Sequence, residues 1–161
     1  MKSKILVVDD EESIREFLEI MLKKEGYEIT LAEDGQKAKD LLTKKSFDLI
    51  ISDLQMPHVT GIELLKHVKD SYPDVVFMMI TAFGTTETAV EAMKMGAYDY
   101  LTKPFSVREF IARVKAIFRR AEAMQNETAT AERAAHIIFG NVEIDRERRK
   151  VQLKGKRLDL T

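Results

Sequence analysis

Four stretches of the chain end an apolar run on a residue that can do chemistry. "ILVVDDEE" passes from branched apolar side chains to Asp9, Asp10, Glu11 and Glu12. "IISDLQMP" delivers Asp53, "MMITAFG" delivers Thr81 and "YLTKPF" delivers Lys103. Gathered carboxylates repel one another, and each costs free energy to desolvate, so the acids call for a positive partner. Oxygen ligands suit a hard cation such as Mg²⁺, which favours a few carboxylates and keeps several waters. A cation beside Asp53 would orient an incoming phosphoryl group and offset its charge. Lys103 and the Thr81 hydroxyl could bind the other phosphoryl oxygens. That chemistry is a carboxylate nucleophile forming an acyl phosphate. Taken singly, each residue has a plainer explanation. Acids favour helix starts, Asp53 could be a turn residue before Pro57, and a lone lysine is usually solvated. Taken together they are harder to explain that way, because each of the key residues terminates a different strand.

The strands are five short apolar runs, Lys4–Val8, Glu28–Ala32, Leu49–Ser52, Val75–Thr81 and Asp99–Thr102. Several are apolar almost throughout, as in strands buried on both faces. Helical spacing fills the intervals. The stripes are Ile14, Phe17, Leu18, Met21 and Leu22; Ala38, Leu41 and Leu42; Ile62, Leu64, Leu65 and Val68; Ala89, Val90, Ala92 and Met93; and Val107, Phe110, Ile111, Val114, Ile117 and Phe118. Strict β-α alternation predicts a doubly wound parallel sheet with helices on both faces and right-handed crossovers. In such sheets ligands bind beyond the carboxyl ends of the strands, where the acids, Thr81 and Lys103 converge.

After Arg120 the pattern changes. "MQNETATAERAAH" has no wide apolar stripe and reads as a linker, with a helical extension of the fifth helix as one option. "IIFGNVEID", "RKVQLKG" and "KRLDLT" then show the two-residue period of short antiparallel strands. Residues 137–161 carry seven basic side chains against four acidic, while the rest of the chain carries 19 against 23. That asymmetry points to two units with different partners. The overall charge of -1 exerts no general pull toward nucleic acid or membrane. The chain has no cysteine, which excludes disulfides, thiolate metal sites and a cysteine nucleophile and fits a reducing cytoplasm. No signal peptide or membrane span is expected. His58, His67 and His136 lack ligand spacing, and Met78, Met79, Met93 and Met95 read as core filling.

"ILVVDDEE", "DLIISDLQMPHVTGIELL", "MMITAFG" and "GAYDYLTKPF" together strongly resemble the receiver (CheY-like) domain of bacterial two-component response regulators. The resemblance covers residues 1–121 in register. It implies a five-stranded parallel sheet in order 2-1-3-4-5, flavodoxin-like, with Asp53 as phosphoacceptor. It further implies that Asp10, Asp53 and the backbone carbonyl of Gln55 bind Mg²⁺ directly, with Asp9 acting mainly through water. Lys103 would pair with Asp53 and then with the phosphoryl group, its bond to Pro104 being cis. Thr81 and Tyr100 would form the switch pair. A sensor histidine kinase would supply the phosphoryl group, and phosphorylation would bias the surface of the fourth helix, fifth strand and fifth helix. Gln55 and Phe83 flank the site and are candidates for setting phosphoryl lifetime, with Phe83 expected to restrict in-line water.

"SVREFIARVKAIFRR" resembles the fifth helix of regulators of the OmpR/PhoB type, which carry a winged-helix DNA-binding domain. In that group this face forms homodimers through cross-subunit ion pairs, and Asp99 and Arg113 match one such pair. Ala89 stands where the group places the basic partner of Glu109, and "FGTTETAVEAMKMGAYDYLTKPF" instead resembles the receivers of NtrC-type activators. "IIFGNVEIDRERRKVQLKGKRLDLT" resembles the opening strands of the winged-helix domain, with seven basic residues and one acid between Arg146 and Arg157. The expected organisation is a receiver over residues 1–121, a linker over 122–136 and the first strands of the DNA-binding domain over 137–161. DNA would be contacted only through that output domain, which is incomplete here, its recognition helix being absent from these 161 residues. The expected activity is a cytoplasmic phosphoacceptor switch, dimeric when phosphorylated, that acts only on its own phosphorylation and dephosphorylation. Two rivals are a haloacid-dehalogenase-like phosphatase, disfavoured because Asp9 and Asp10 are adjacent where a D-x-D pair is needed, and an interaction module without phosphotransfer, disfavoured by the complete acid, threonine and lysine set.

Overall fold

The computed structural model describes residues 1–139, 142–145, 150–153 and 156–158, with side chains through residue 124. Strands and helices alternate as β1 (Lys4–Val8), α1 (Glu12–Lys24), β2 (Glu28–Ala32), α2 (Gly35–Lys44), β3 (Leu49–Asp53), α3 (Gly61–Ser71), β4 (Val76–Thr81), α4 (Thr86–Lys94), β5 (Asp99–Thr102) and α5 (Val107–Ala135). The five strands form one parallel sheet in order 2-1-3-4-5. Two positions differ from the sequence reading: β3 runs one residue further, to Asp53, and β4 starts at Val76. Asp53 therefore belongs to the ladder itself, paired in register with Ile80 of β4.

Strand pleating sends alternate side chains to opposite faces. Leu6, Val8, Ile50, Phe77 and Met79 pack with Ala38 and Leu42 of α2, Leu64, Leu65 and Val68 of α3, and Ala92 of α4. The alternate residues Ile5, Val7, Leu49, Ile51, Met78 and Ile80 are equally buried on the other face. Leu18 and Leu22 of α1, which packs on β1 and β2, are buried as well, as are Phe110, Val114 and Ile117 of α5. Burying each large side chain contributes roughly 1.5–3 kcal/mol, which fixes the strand register and hence the strand ends.

Three apolar stripes are less buried than their spacing predicts, that of α5 at its first residue, the exposed Val107. In α4 only Ala92 is buried, while Val90 and Met93 are exposed; in α1, Phe17 is exposed. α4 has nine residues and only one small side chain of its stripe is fully buried, so Val90 and Met93 lie on the surface while Ala89 is half-buried.

Caps set the helix starts on the site side. Asp34 accepts the Lys37 amide ahead of α2, and Thr60 and Glu63 form a capping box at α3. Thr85 and Thr88 form one at α4.

The chain divides into two compact units, Met1–Arg113 and Val114–Thr161, the boundary falling within α5. The helix continues to Ala135, through the stretch read as a linker. Four antiparallel strands follow in order, β6 (His136–Phe139), β7 (Val142–Asp145), β8 (Lys150–Leu153) and β9 (Lys156–Leu158). Residues 146–149 and 154–155 of the basic run lie outside the described residues.

Candidate functional site

The carboxyl ends of β1, β3, β4 and β5 bring the predicted residues together. Asp9 follows β1 and is wholly buried, whereas Asp10 is exposed. Every polar atom of Asp9 has a partner. Its amide donates to the Ala32 carbonyl at 3.2 Å, and its carbonyl accepts from Arg15 Nη1 at 2.8 Å. Its Oδ1 accepts the Glu11 amide at 2.9 Å, and its Oδ2 accepts from Lys103 Nζ at 3.2 Å. Glu11 occupies the N-cap position of α1, yet its side chain makes no capping bond.

Asp53 ends β3 and is 8 % exposed. Its Oδ1 is buried with no hydrogen-bond partner among the described residues. Such an atom is costly to leave unpaired, about 1–3 kcal/mol or more for a charged group, and marks a place for a ligand. Burial raises the Asp53 pKa above its ordinary value of 3.8; Lys103 opposes the shift, Asp9 adds to it, and the Thr81 hydroxyl and Gln55 backbone oppose it. One oxygen each from Asp9, Asp10 and Asp53 lie within 4.8 Å of one another, close enough to share one cation. Three carboxylates with no soft ligand suit Mg²⁺.

Lys103 was expected to pair with Asp53. It stands 3.9 Å from Asp53 Oδ2 but 3.2 Å from Asp9 Oδ2, so Asp9 is its nearer partner. Asp9 has the less exposed carboxylate of the two. The Lys103 amide donates to the Thr81 carbonyl at 2.8 Å, joining the loop after β5 to the end of β4. The Lys103–Pro104 bond is cis, as the resemblance implied.

Thr81 is buried, and its Oγ1 accepts the Phe83 amide at 3.2 Å. Tyr100 packs against the core, and its hydroxyl lies 3.2 Å from Thr88 Oγ1, in the α4 capping box. The hydroxyl occupies the space over Gly84 that a Cβ there would need. Gln55 is exposed beside Asp53, and Phe83 is 69 % exposed. Away from the site, Arg113 Nη1 donates to Asp99 Oδ1 and Oδ2 at 2.8 and 2.9 Å, and Nη2 to Glu109 Oε1 at 3.2 Å. The Asp99–Arg113 pair anticipated across a dimer is thus already made within one chain.

Sequence reasoning missed Arg15, Gly61 and Thr88. Gly61 opens α3 against the end of β3: its amide donates to the Leu54 carbonyl at 2.8 Å, and an added Cβ would lie against the Asp53 carbonyl oxygen and 2.8 Å from Leu54 Cα. A glycine directly after a threonine N-cap was the one visible signal.

The profile of the response regulator receiver domain matches residues 5–115. The alkaline phosphatase synthesis transcriptional regulatory protein PhoP of Bacillus subtilis is 39% identical over 163 residues, which take in 100% of this chain and 68% of PhoP. The transcriptional regulatory protein SrrA of Staphylococcus aureus is 35% identical over 161 residues, 100% of this chain and 66% of SrrA. The chain thus spans about two thirds of the length of these curated relatives. Among solved structures, a response regulator receiver domain protein from Clostridium thermocellum superposes with a TM-score of 0.71 at 29% identity, covering 76% of this chain and 98% of that one. The beryllofluoride-activated NtrC4 receiver domain dimer superposes with a TM-score of 0.69 at 39% identity, covering 73% and 97%. No helix among the described residues is long and apolar enough to cross a membrane.

Proposed function

The chain belongs to the response regulator receiver family, and on that premise we propose that Asp53 accepts a phosphoryl group from a sensor histidine kinase with Mg²⁺ bound. The observation that carries this reading is the buried, unpartnered Asp53 Oδ1 beside two further carboxylates and a lysine. Asp10, Asp53 and the Gln55 carbonyl would hold Mg²⁺ directly, with Asp9 acting mainly through water. Bound there, the ion would supply charge neutralisation for the incoming phosphoryl oxygens.

A carboxylate oxygen of Asp53 attacks phosphorus. The new O–P bond forms as the N–P bond of the donor phosphohistidine breaks, and the imidazole leaves with the electron pair. Lys103, already between Asp9 and Asp53, turns its ammonium to the phosphoryl oxygens. The Thr81 hydroxyl exchanges the Phe83 amide for a phosphoryl oxygen, and Tyr100 moves into the space vacated. That movement takes the Tyr100 hydroxyl from Thr88 and so reaches the α4 cap. The α4-β5-α5 face is thereby biased between two states. The protein acts as a cytoplasmic switch, catalysing only its own phosphorylation and dephosphorylation, and controls transcription through a DNA-binding output domain that begins in β6–β9.

Incubation with acetyl phosphate and Mg²⁺ followed by intact-mass measurement tests the reading. One phosphoryl adduct is expected, lost when EDTA is added first; no adduct with any donor would overturn it.

Two further outcomes follow. Phe83→Ala should shorten the lifetime of the phosphorylated protein by roughly tenfold, the effect of about 1.4 kcal/mol on the barrier, because water gains an in-line approach. Decay followed by mass decides this, and an unchanged rate would assign Phe83 to another role. On phosphorylation the Arg113 guanidinium exchanges its own Asp99 for that of a second copy. Arg113→Ala should therefore weaken dimers of the phosphorylated protein by about tenfold in Kd, read by analytical ultracentrifugation. Unaltered association would place the dimer on a different surface.

A further inference from the structure

Two of the three carboxylates in the cation cluster ride on one short turn, from Asp9 to Glu12. That turn carries four successive acids, whose repulsion favours splaying it open. The residue at the α1 N-cap gives no side-chain cap. The turn is closed from two sides. The Asp9 carboxylate takes the Glu11 amide, and the Arg15 side chain reaches back from the first turns of α1 to the Asp9 carbonyl at 2.8 Å. Arg15 is half-buried, and its own amide donates to the Glu11 carbonyl at 3.1 Å, so both ends of the clamp are fixed.

We propose that Arg15 is a positioning residue for the cation site. Its guanidinium pins the end of β1, and with it the directions in which Asp9 and Asp10 leave the turn. The inference rests on the reading of Asp9, Asp10 and Asp53 as a cation site. The polar partner of Arg15 is what distinguishes this role from simple charge balance. Surrounded by acids, the guanidinium bonds a backbone carbonyl and makes no ion pair among the described residues. A residue kept to neutralise the acids would pair with a carboxylate.

The two roles give opposite signs. A nearby positive charge that merely balances the acids repels Mg²⁺, so removing it tightens binding. A clamp that pre-organises ligands weakens binding when it is removed, by about tenfold or more for groups that orient metal ligands. Arg15→Met keeps the apolar stem and removes donor and charge. Arg15→Lys keeps one donor.

The experiment is Mg²⁺ titration, without phosphodonor, of the full chain and both variants by calorimetry, with hydrogen exchange of the Glu11 amide in metal-free protein. Arg15→Met should bind Mg²⁺ about tenfold or more weakly and exchange the Glu11 amide faster, and Arg15→Lys should recover most of both. Binding by Arg15→Met that equals or exceeds that of the unaltered chain would overturn the inference. So would weakened binding with unchanged Glu11 exchange, or a lysine variant no better than methionine. If the unaltered chain binds no Mg²⁺, the cation reading itself fails; if it binds and Arg15→Met binds equally well, only the role of Arg15 fails.

Discussion

Replacing Gly61 with alanine is expected to cost the protein about 3 kcal/mol and to abolish formation of the phosphoryl adduct. The added methyl would meet the carbonyl of Asp53 and the Cα of Leu54. Both are backbone atoms of a central strand and its continuation, so no flexible side chain can yield. Overpacking of this kind typically costs 1–3 kcal/mol, and sites with nowhere to shift lie at or above the top of that range. Relief requires α3 to back away from β3 or the Asp53 peptide to turn, and either moves the nucleophile. Chemical denaturation and intact mass after acetyl phosphate treatment check the two halves. A variant with unaltered stability would mean that α3 does not bear on the strand end.

Substituting Asp53 with asparagine should act in the opposite direction on stability. Burial raises the Asp53 pKa above 3.8. Between that value and the raised one, the folded state holds more protons than the unfolded state. Stability contributed by Asp53 is thus fully present below 3.8 and is lost as pH rises through the raised pKa. At neutral pH without metal, the ionised Asp53 therefore burdens the fold. Asp53→Asn removes that burden and should raise metal-free stability by on the order of 1 kcal/mol, or about 3 °C in melting temperature. The gap between variant and unaltered protein should open with pH through this window and be smallest below it. Mg²⁺ should narrow the gap, because a cation bound to the ionised carboxylates stabilises only the chain that retains them. Melting curves against pH, with EDTA and with Mg²⁺, measure both effects. A gap independent of pH would contradict the electrostatic account of the site.

The strand ends were legible because a buried parallel strand stays apolar until it leaves the core. The first charged residue after a run located three of the five strand ends to within one residue, at Asp9, Asp53 and Lys103, although Asp53 itself stays in the β3 ladder. The parallel sheet followed from alternation and its order 2-1-3-4-5 from the family resemblance, and the structure has that order, with Asp53 opposite Ile80. What spacing along the chain does not encode is which of several converging groups lies nearest. Lys103 is 50 residues from Asp53 and 94 from Asp9, and Asp9 is its nearer partner. Arg15 escaped notice because its contact is with a carbonyl, which every residue carries. Val90 and Met93 of α4 share the spacing of core residues, yet the short helix leaves them on the surface.

Locating the phosphoryl group tests the central claim most directly. After reaction with acetyl phosphate and Mg²⁺, borohydride converts an aspartyl phosphate to homoserine, and peptide mass mapping finds the converted position. The account requires homoserine at position 53 and none in Asp53→Asn. Conversion at Asp9 or Asp10, or persistence of the adduct in that variant, would contradict it.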